Sequence, residues 1–212
     1  MPKPLQGVYA ITDQTLLRGP MLLAGVEEAL SAGLGLLQYR NKGDSWQSRC
    51  DEAAQLLKLC RRYDTPLLIN DDVDLCLEVG ADGVHLGQAD TKLTDAKRRL
   101  DDNALIGVTC HSDVALARQA QDNGAHYVAF GRFFPSTTKP HASPATIDTL
   151  HQARRELTLP IVAIGGINAE NGHTLIDAGA SMLAVIHYLF ASPNIDVRVQ
   201  KLNALFNPAI NR

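Results

Sequence analysis

Two short apolar segments of this chain each lead into acidic residues. Leu67–Ile69 is followed by Asp71, and Val84–Leu86 is followed by Asp90. If both segments are strands of a parallel α/β protein, their carboxyl ends share one face, where the two carboxylates can meet. Mg²⁺ suits such a pair, since it takes one or two protein carboxylates and oxygens of water or phosphate. N-capping of the following helices is the alternative role of these aspartates. For Asp72, the residue after Asp71, we expect N-capping and support of the metal ligands equally.

Basic and hydroxyl side chains are expected at the same face. Three cations and three hydroxyl residues follow two further strand-like segments: Arg40, Lys42, Lys139, Ser136, Thr137 and Thr138. Forked or point-charge donors beside a metal ion are what a diphosphate requires. The sequence therefore indicates a magnesium-bound diphosphate, with solvated strand ends and a solvated Ser/Thr loop as the alternatives.

A pair of glycines follows another apolar segment. Gly165 and Gly166 come directly after Ile161–Ile164, and their bare backbone can approach a phosphate closely. Barrel enzymes often bind phosphate with the loops after strands 7 and 8, so this pair predicts a second phosphate site. A tight turn is the alternative.

Three histidines fall at strand ends. They are His85, His111 and His187. No serine or cysteine nucleophile accompanies them in a recognisable arrangement. We expect His85, inside a strand, to be structural, and the sequence leaves the roles of His111 and His187 open.

The elements that must position these residues repeat along the chain. Four helical patterns each end in a glycine followed by a strand, at Gly33, Gly80, Gly124 and Gly179. A glycine suits the left-handed position that ends a helix. Other strands begin after Thr65-Pro66, Asp102-Asn103 and Leu159-Pro160, and with Gly7–Ile11 the count is eight.

The intervening segments have helical periodicity. It is clearest over residues 46–62 and 114–123, with N-cap candidates at Asp44-Ser45 and Ser112-Asp113. Strands too apolar to face water, alternating with helices, predict a parallel sheet covered on its outside. Eight such units in 212 residues favour a single-domain (β/α)8 TIM barrel over residues 1–212, with the active site at the carboxyl ends of the strands. An open doubly wound sheet is the alternative, but its dinucleotide fingerprint is missing.

Composition excludes several classes of protein. A formal net charge of −3 and dispersed basic residues disfavour nucleic acid as a partner. No segment approaches the length of a membrane span, and the first residues lack a signal-peptide core, so we expect a cytoplasmic protein without a membrane partner. Homo-oligomer formation stays open. The four cysteines show no C-x-x-C spacing and are expected to be reduced core thiols.

Taken as a set, these motifs resemble the thiamine-phosphate synthase family. The resemblance runs from about Gly7 to Phe190 and is carried by Gln38-x-Arg40-x-Lys42, Asn70-Asp71-Asp72, His85-Leu86-Gly87-Gln88-x-Asp90, Gly107-x-Thr109-x-His111, Pro135-Ser136-Thr137-Thr138-Lys139, Ile164-Gly165-Gly166-Ile167 and Val185-Ile186. That family is a (β/α)8 barrel that joins hydroxymethylpyrimidine diphosphate to a thiazole phosphate with Mg²⁺, releasing pyrophosphate and forming thiamine phosphate.

The resemblance assigns roles to the site residues. It implies that the pyrimidine diphosphate is held by Gln38, Arg40, Lys42, Asn70 and Lys139. Asp71 and Asp90 would ligate Mg²⁺, and Thr109 would keep the hydroxyl of a serine that the family has at this position. The thiazole phosphate would be received by Ser136, Thr137, Thr138, Gly166, Ile186 and His187. His187 replaces a serine of many relatives, which leaves its backbone N–H for the phosphate.

The implied mechanism needs no protein nucleophile. Pyrophosphate departs from the pyrimidine methylene, and the thiazole nitrogen captures the cation that the aminopyrimidine ring stabilises. Arg40, Lys42 and Lys139 would stabilise the leaving charge. Two alternatives are a relative that tautomerises the thiazole phosphate, which would need neither diphosphate nor metal, and a non-catalytic sensor of a phosphate ligand.

Overall fold

The computed structural model describes residues 4–135 and 144–207. Its eight parallel strands close into a barrel in sequence order: β1 (Gly7–Ile11), β2 (Leu36–Tyr39), β3 (Leu67–Asn70), β4 (Gly83–Leu86), β5 (Leu105–His111), β6 (Tyr127–Phe130), β7 (Ile161–Ile164) and β8 (Met182–Val185). Because β8 pairs with β1, the sheet has no open edge. The prediction of a (β/α)8 barrel is confirmed, and the doubly wound alternative is wrong.

Helices follow the strands on the outside. They are α1 (Pro20–Ser31), α2 (Trp46–Arg62), α3 (Val73–Val79), α4 (Leu93–Arg99), α5 (Val114–Asp122), α6 (Ile147–Glu156), α7 (Gly172–Asp177), α8 (His187–Phe190) and α9 (Ile195–Leu205). The periodicity did not predict α9, which packs against α1, α7, α8 and β1. This last helix extends the chain beyond the eight repeating units.

The local signals for helix ends agree with the structure. The Ser45 hydroxyl caps α2 by accepting the Ser48 N–H at 3.2 Å. The Asp113 carboxylate caps α5, and Gly80 ends α3 in the left-handed conformation at φ +67°. Since a Cβ is penalised at positive φ, glycine is favoured at this end of α3.

The apolar residues form two layers. Side chains between strands and helices make the larger one. A smaller cluster fills the inside of the barrel with alternate strand residues, including Tyr9, Leu36, Leu68, Tyr127 and Val162. Alternation along a strand sends every second side chain inward, so the next inward positions toward the carboxyl ends are those that meet the mouth of the barrel.

Three of the four cysteines are buried free thiols, as predicted. All four are free, and Cys60, Cys76 and Cys110 are buried, which raises the pKa of each thiol to about 12. Cys50 is only partly buried and lies on the rim of the core. In the described part of the chain, no helix combines the length and the apolar character needed to cross a membrane.

Candidate active site

A cavity of about 640 Å³ opens at the carboxyl ends of the strands. Its wall includes eleven of the residues that the sequence selected: Gln38, Arg40, Lys42, Asn70, Asp71, Asp90, Thr109, Gly165, Gly166, Ile186 and His187. The other four, Ser136, Thr137, Thr138 and Lys139, lie outside the described residues. The structure thus brings together every selected residue that it describes.

Asp71 and Asp90 meet at this mouth, although β3 and β4 deliver them separately. Their side chains lie within hydrogen-bonding reach of each other. Asp71 Oδ2 accepts from Lys42 Nζ at 2.8 Å and from Asn70 Nδ2 at 2.7 Å. Asp90 Oδ2 accepts the Gly87 N–H at 2.7 Å. Among the described residues, Asp71 is one of three non-glycine residues at positive φ, +61°, a conformation that proteins concentrate at functional sites.

The two carboxyl groups have pKa values shifted in opposite directions. Burial opposes ionisation of Asp71, but the hydrogen bonds and charge of Lys42, with those from Asp90 and Asn70, outweigh it and lower the pKa. Burial and then the neighbouring Asp71 raise the pKa of Asp90. This pair of neighbouring carboxylates carries negative charge that a bound cation could offset.

Asp72 does not line this cavity. Its Oδ1 accepts the Leu75 N–H at 2.9 Å, and its Oδ2 pairs with Arg49 Nη1 at 2.9 Å. The N-cap interpretation is therefore confirmed for Asp72, and its second bond ties α3 to α2.

Arg40 lies between this cavity and a smaller one of about 390 Å³. Its Nη1 lies 3.7 Å from Asp13 Oδ2, and its backbone N–H donates to Thr12 Oγ1 at 2.8 Å. The side chain is about one-fifth exposed, so its charge is only partly screened by water. Arg40 is placed to hold an anion in the larger cavity.

The loops after β7 and β8 form the opposite part of the wall. A Cβ on Gly166 would lie 2.4 Å from the Pro135 carbonyl oxygen, and one on Gly165 would lie 2.4 Å from Arg132 Cβ. The two glycines are therefore needed first for close packing of the loop after β6. His187 begins α8 rather than ending β8, so its N–H is one of the donors that the first helical turn leaves free.

A line of polar side chains crosses the barrel beneath the cavity. Gln38 Nε2 donates to the Tyr9 hydroxyl, which lies 2.8 Å from the Tyr127 hydroxyl. The Tyr127 hydroxyl lies 2.8 Å from His85 Nδ1, and His85 Nε2 lies 2.8 Å from Thr109 Oγ1. The sequence predicts His85 as structural, and its buried position agrees, yet it also lines the cavity and contacts Thr109.

Over most of its length the chain is similar to proteins of one family. A family model described as thiamine monophosphate synthase matches residues 8–189. The chain belongs to the thiamine monophosphate synthase family. A thiamine-phosphate synthase of Marinobacter nauticus is 49% identical over 94% of this chain and 90% of its own. One of Saccharophagus degradans is 48% identical over 97% of this chain and 95% of its own.

The fold agrees with the same family. The solved structure of thiamine phosphate pyrophosphorylase from Pyrococcus furiosus has a TM-score of 0.87 at 29% identity, covering 96% of both chains. As a member of the thiamine monophosphate synthase family, the protein is an enzyme, a transferase of the thiamine-phosphate synthase type.

Several cavity residues were given no role by the sequence. His111, whose role the sequence left open, has a φ of +53°, and Arg132 lies just after β6. Arg198 comes from α9, and its guanidinium lies 4.6 Å from the centre of the Tyr188 ring. No sequence signal marked Arg198, because α9 is not one of the repeating units and only the folded chain brings it to the mouth.

Gly107, in the family motif around Thr109, has a packing role that can be tested. A Cβ at this position would lie 1.9 Å from Tyr127 Cζ, so Gly107→Ala must displace the buried tyrosine ring. We expect this overpacking to lower the free energy of unfolding by about 1–3 kcal/mol and to reduce kcat/KM. Urea unfolding and steady-state kinetics measure the two effects.

Gly80→Ala is the matched control for this substitution. Unlike Gly107, Gly80 has a positive φ, and a Cβ there would meet no atom within 4 Å. It should cost stability through backbone strain and leave kcat/KM unchanged. Equal kinetic losses in both variants would contradict a specific role for the space beside Tyr127.

Proposed function

We propose that the protein condenses 4-amino-2-methyl-5-hydroxymethylpyrimidine diphosphate with a thiazole phosphate to give thiamine phosphate and pyrophosphate. The observation that carries this proposal is the meeting of Asp71 and Asp90 beside Lys42 and Arg40 at one mouth. Acidic and basic groups side by side suit a diphosphate whose charge is shared between a metal ion and protein cations.

The residues present fit Mg²⁺. Asp71 and Asp90 supply two adjacent carboxylates. Burial and then the neighbouring Asp71 raise the pKa of Asp90, and a bound cation would favour the ionised form of both groups. Across the described residues no cluster of three or more His, Cys, Asp or Glu is present, which is compatible with an ion that keeps water and phosphate ligands. When bound, Mg²⁺ would neutralise charge on the diphosphate.

The protein's own cations would then act on the leaving group. In the proposed reaction the bond between the pyrimidine methylene carbon and the diphosphate oxygen breaks, and both electrons leave with pyrophosphate. Arg40 and Lys42 stabilise that developing charge, and Lys139 is proposed to join them. A lone pair of the thiazole nitrogen forms the new bond to the methylene carbon.

The thiazole phosphate is proposed to bind at the opposite wall. The Gly166 and His187 N–H groups are available there, since no described residue accepts a hydrogen bond from either. Ser136, Thr137 and Thr138 are proposed to add hydroxyl donors. Holding the thiazole at this wall places its nitrogen against the pyrimidine and makes capture of the cation effectively intramolecular.

One activity assay tests this function. Purified protein with both substrates and Mg²⁺ should form thiamine phosphate and pyrophosphate in equal amounts, and addition of EDTA should stop turnover. Isomerisation of the thiazole phosphate alone, without metal, would favour the tautomerase alternative. Binding of the phosphates without conversion would favour the sensor alternative.

The acid limb of the activity should depend on the magnesium concentration. The pKa of Asp90 is raised above that of an ordinary carboxyl group, so protonation begins there as the pH falls from neutrality. A proton on Asp90 competes with the metal, and excess Mg²⁺ should therefore move the acid limb of kcat/KM to lower pH. A pH profile that stays fixed at all magnesium concentrations would contradict this ligand assignment.

The remaining proposals concern the location, the partners and the oligomeric state of the protein. From the net charge of −3 and the dispersed basic residues we infer that nucleic acid is not a partner, and we propose in addition a cytoplasmic location without a membrane partner. Sedimentation velocity would determine whether the protein forms a homo-oligomer.

A further inference from the structure

The side chains from Gln38 to Thr109 form a line of hydrogen bonds, and the donors in this line all point the same way. Each hydroxyl in it has one proton to donate, so a single fixed donor determines the rest. Either hydroxyl can donate across the Tyr9–Tyr127 contact, but with Gln38 Nε2 donating to Tyr9 the Tyr9 proton is left for Tyr127, and the Tyr127 proton is left for His85 Nδ1. His85 is then neutral with its proton on Nε2, and that N–H donates to Thr109 Oγ1.

The two tyrosines in the middle of the line keep their protons. Tyr9 and Tyr127 are 1% and 0% exposed, and burial raises the pKa of both phenols well above the ordinary value. Their rings meet edge to face at 5.9 Å, and the Tyr127 ring stacks on His85 at 5.6 Å. Neither hydroxyl can turn to water, so reversing the line requires reversing every proton in it.

The two ends of the line present opposite groups to the cavity. Gln38 Nε2 donates one of its two protons to Tyr9, and its Oε1 is left as an acceptor at the cavity wall, since no described residue donates to that atom. Thr109 accepts from His85 and so has its hydroxyl proton left to donate, with no acceptor among the described residues. One wall of the cavity therefore accepts a hydrogen bond while another donates one.

When the diphosphate holds the ring with its exocyclic group toward Gln38 Oε1 and its ring nitrogen toward Thr109, this arrangement matches one kind of pyrimidine. A 4-aminopyrimidine has an exocyclic amino donor beside a ring-nitrogen acceptor, whereas the 4-oxo form has a carbonyl acceptor beside a ring N–H donor. We propose that Tyr9 and Tyr127 are positioning residues that fix the direction of this line, so that the site selects an aminopyrimidine over an oxopyrimidine. The inference rests on the proposed function, since it assumes that the pyrimidine enters this cavity.

Selection is measured best by binding rather than by turnover, because the 4-oxo group also alters the reactivity of the ring. Calorimetry without thiazole phosphate gives dissociation constants for the 4-amino and 4-oxo pyrimidine diphosphates and for inorganic pyrophosphate. The wild-type protein should bind the amino compound about 10- to 100-fold more tightly than the oxo compound, the range that one mismatched buried hydrogen bond gives. Equal affinities in the wild-type protein would overturn the proposal.

Tyr127→Phe removes the link between Tyr9 and His85 without removing the ring. The preference for the amino compound should fall about tenfold or more, while the affinity for pyrophosphate, which lacks a ring, stays unchanged. Tyr9→Phe should show the same loss of preference, and it replaces Tyr127→Phe as the test if that variant fails to fold. Tyr63→Phe is the matched control, since its hydroxyl contacts Glu27 at 3.3 Å, outside the barrel. A preserved preference in both line variants would reject the role of the tyrosines.

The tautomer of His85 can be read without any substrate. Nitrogen-15 spectra of the wild-type protein, assigned with His85→Asn, should show a pyridine-type Nδ1 and a pyrrole-type Nε2. The opposite pattern would mean that the line runs the other way and would overturn the proposal. Because these spectra need no substrate, they can reject the role of the tyrosines while the proposed function still holds. The product assay on the wild-type protein tests the proposed function separately.

Discussion

Asp71→Asn should lower kcat/KM by about 100-fold or more and remove the dependence of the rate on Mg²⁺. The substitution keeps the shape of the side chain but removes the charge of a carboxylate that we propose as a metal ligand, and that lies beside Lys42 and within reach of Asp90. Preorganised charge at a leaving group contributes factors of about 10² to 10³ to turnover when a single donor is removed, and a lost metal ligand acts on the same charge. Steady-state kinetics over a magnesium titration measures the effect.

Asp72→Asn is the matched control, one residue along the chain. Asp72 caps α3 and pairs with Arg49, and asparagine is also a good N-cap. This variant should lose a little stability and retain its rate and its magnesium dependence. If Asp71→Asn kept the wild-type rate, or if both variants lost the same activity, Asp71 would not be a metal ligand.

Arg40→Gln should lower kcat by about 100-fold and weaken the binding of pyrophosphate. Arg40 is mostly buried at the mouth, so its guanidinium acts on a bound anion with less screening than a surface charge. The variant also leaves Asp13 without its neighbouring cation, which adds negative charge near the site. Kinetics with the pyrimidine diphosphate and calorimetry with inorganic pyrophosphate measure the two effects.

Two further variants separate charge from geometry at this position. Arg40→Lys keeps the charge but loses the forked donors, so an intermediate rate would indicate that both matter. Arg62→Gln serves as the control, because Arg62 is 65% exposed on α2 and pairs with Glu27 away from the cavity. Wild-type kinetics for Arg40→Gln would remove Arg40 from the diphosphate site.

Local patterns in the sequence were sufficient for the architecture. The periodicity of residues 46–62, the Ser45 cap and the glycine at position 80 all depend on interactions between near neighbours, and each appears in the structure as predicted. Alternation of eight strands with helices then favoured a parallel barrel over an open sheet, and a barrel places the carboxyl ends of its strands on one face. For that reason Asp71 and Asp90 could be assigned to one mouth before any distance was known.

Only the tertiary structure decided how these groups touch. The direct approach of Asp71 to Asp90, and the contact of Tyr127 with both Tyr9 and His85, depend on the register of strands far apart in the chain. Arg198 reaches the cavity because α9 packs back onto the barrel. Sequence periodicity records which face of an element is apolar but not which distant side chain lies opposite, since that pairing arises when the barrel closes and its inward side chains share one enclosed volume.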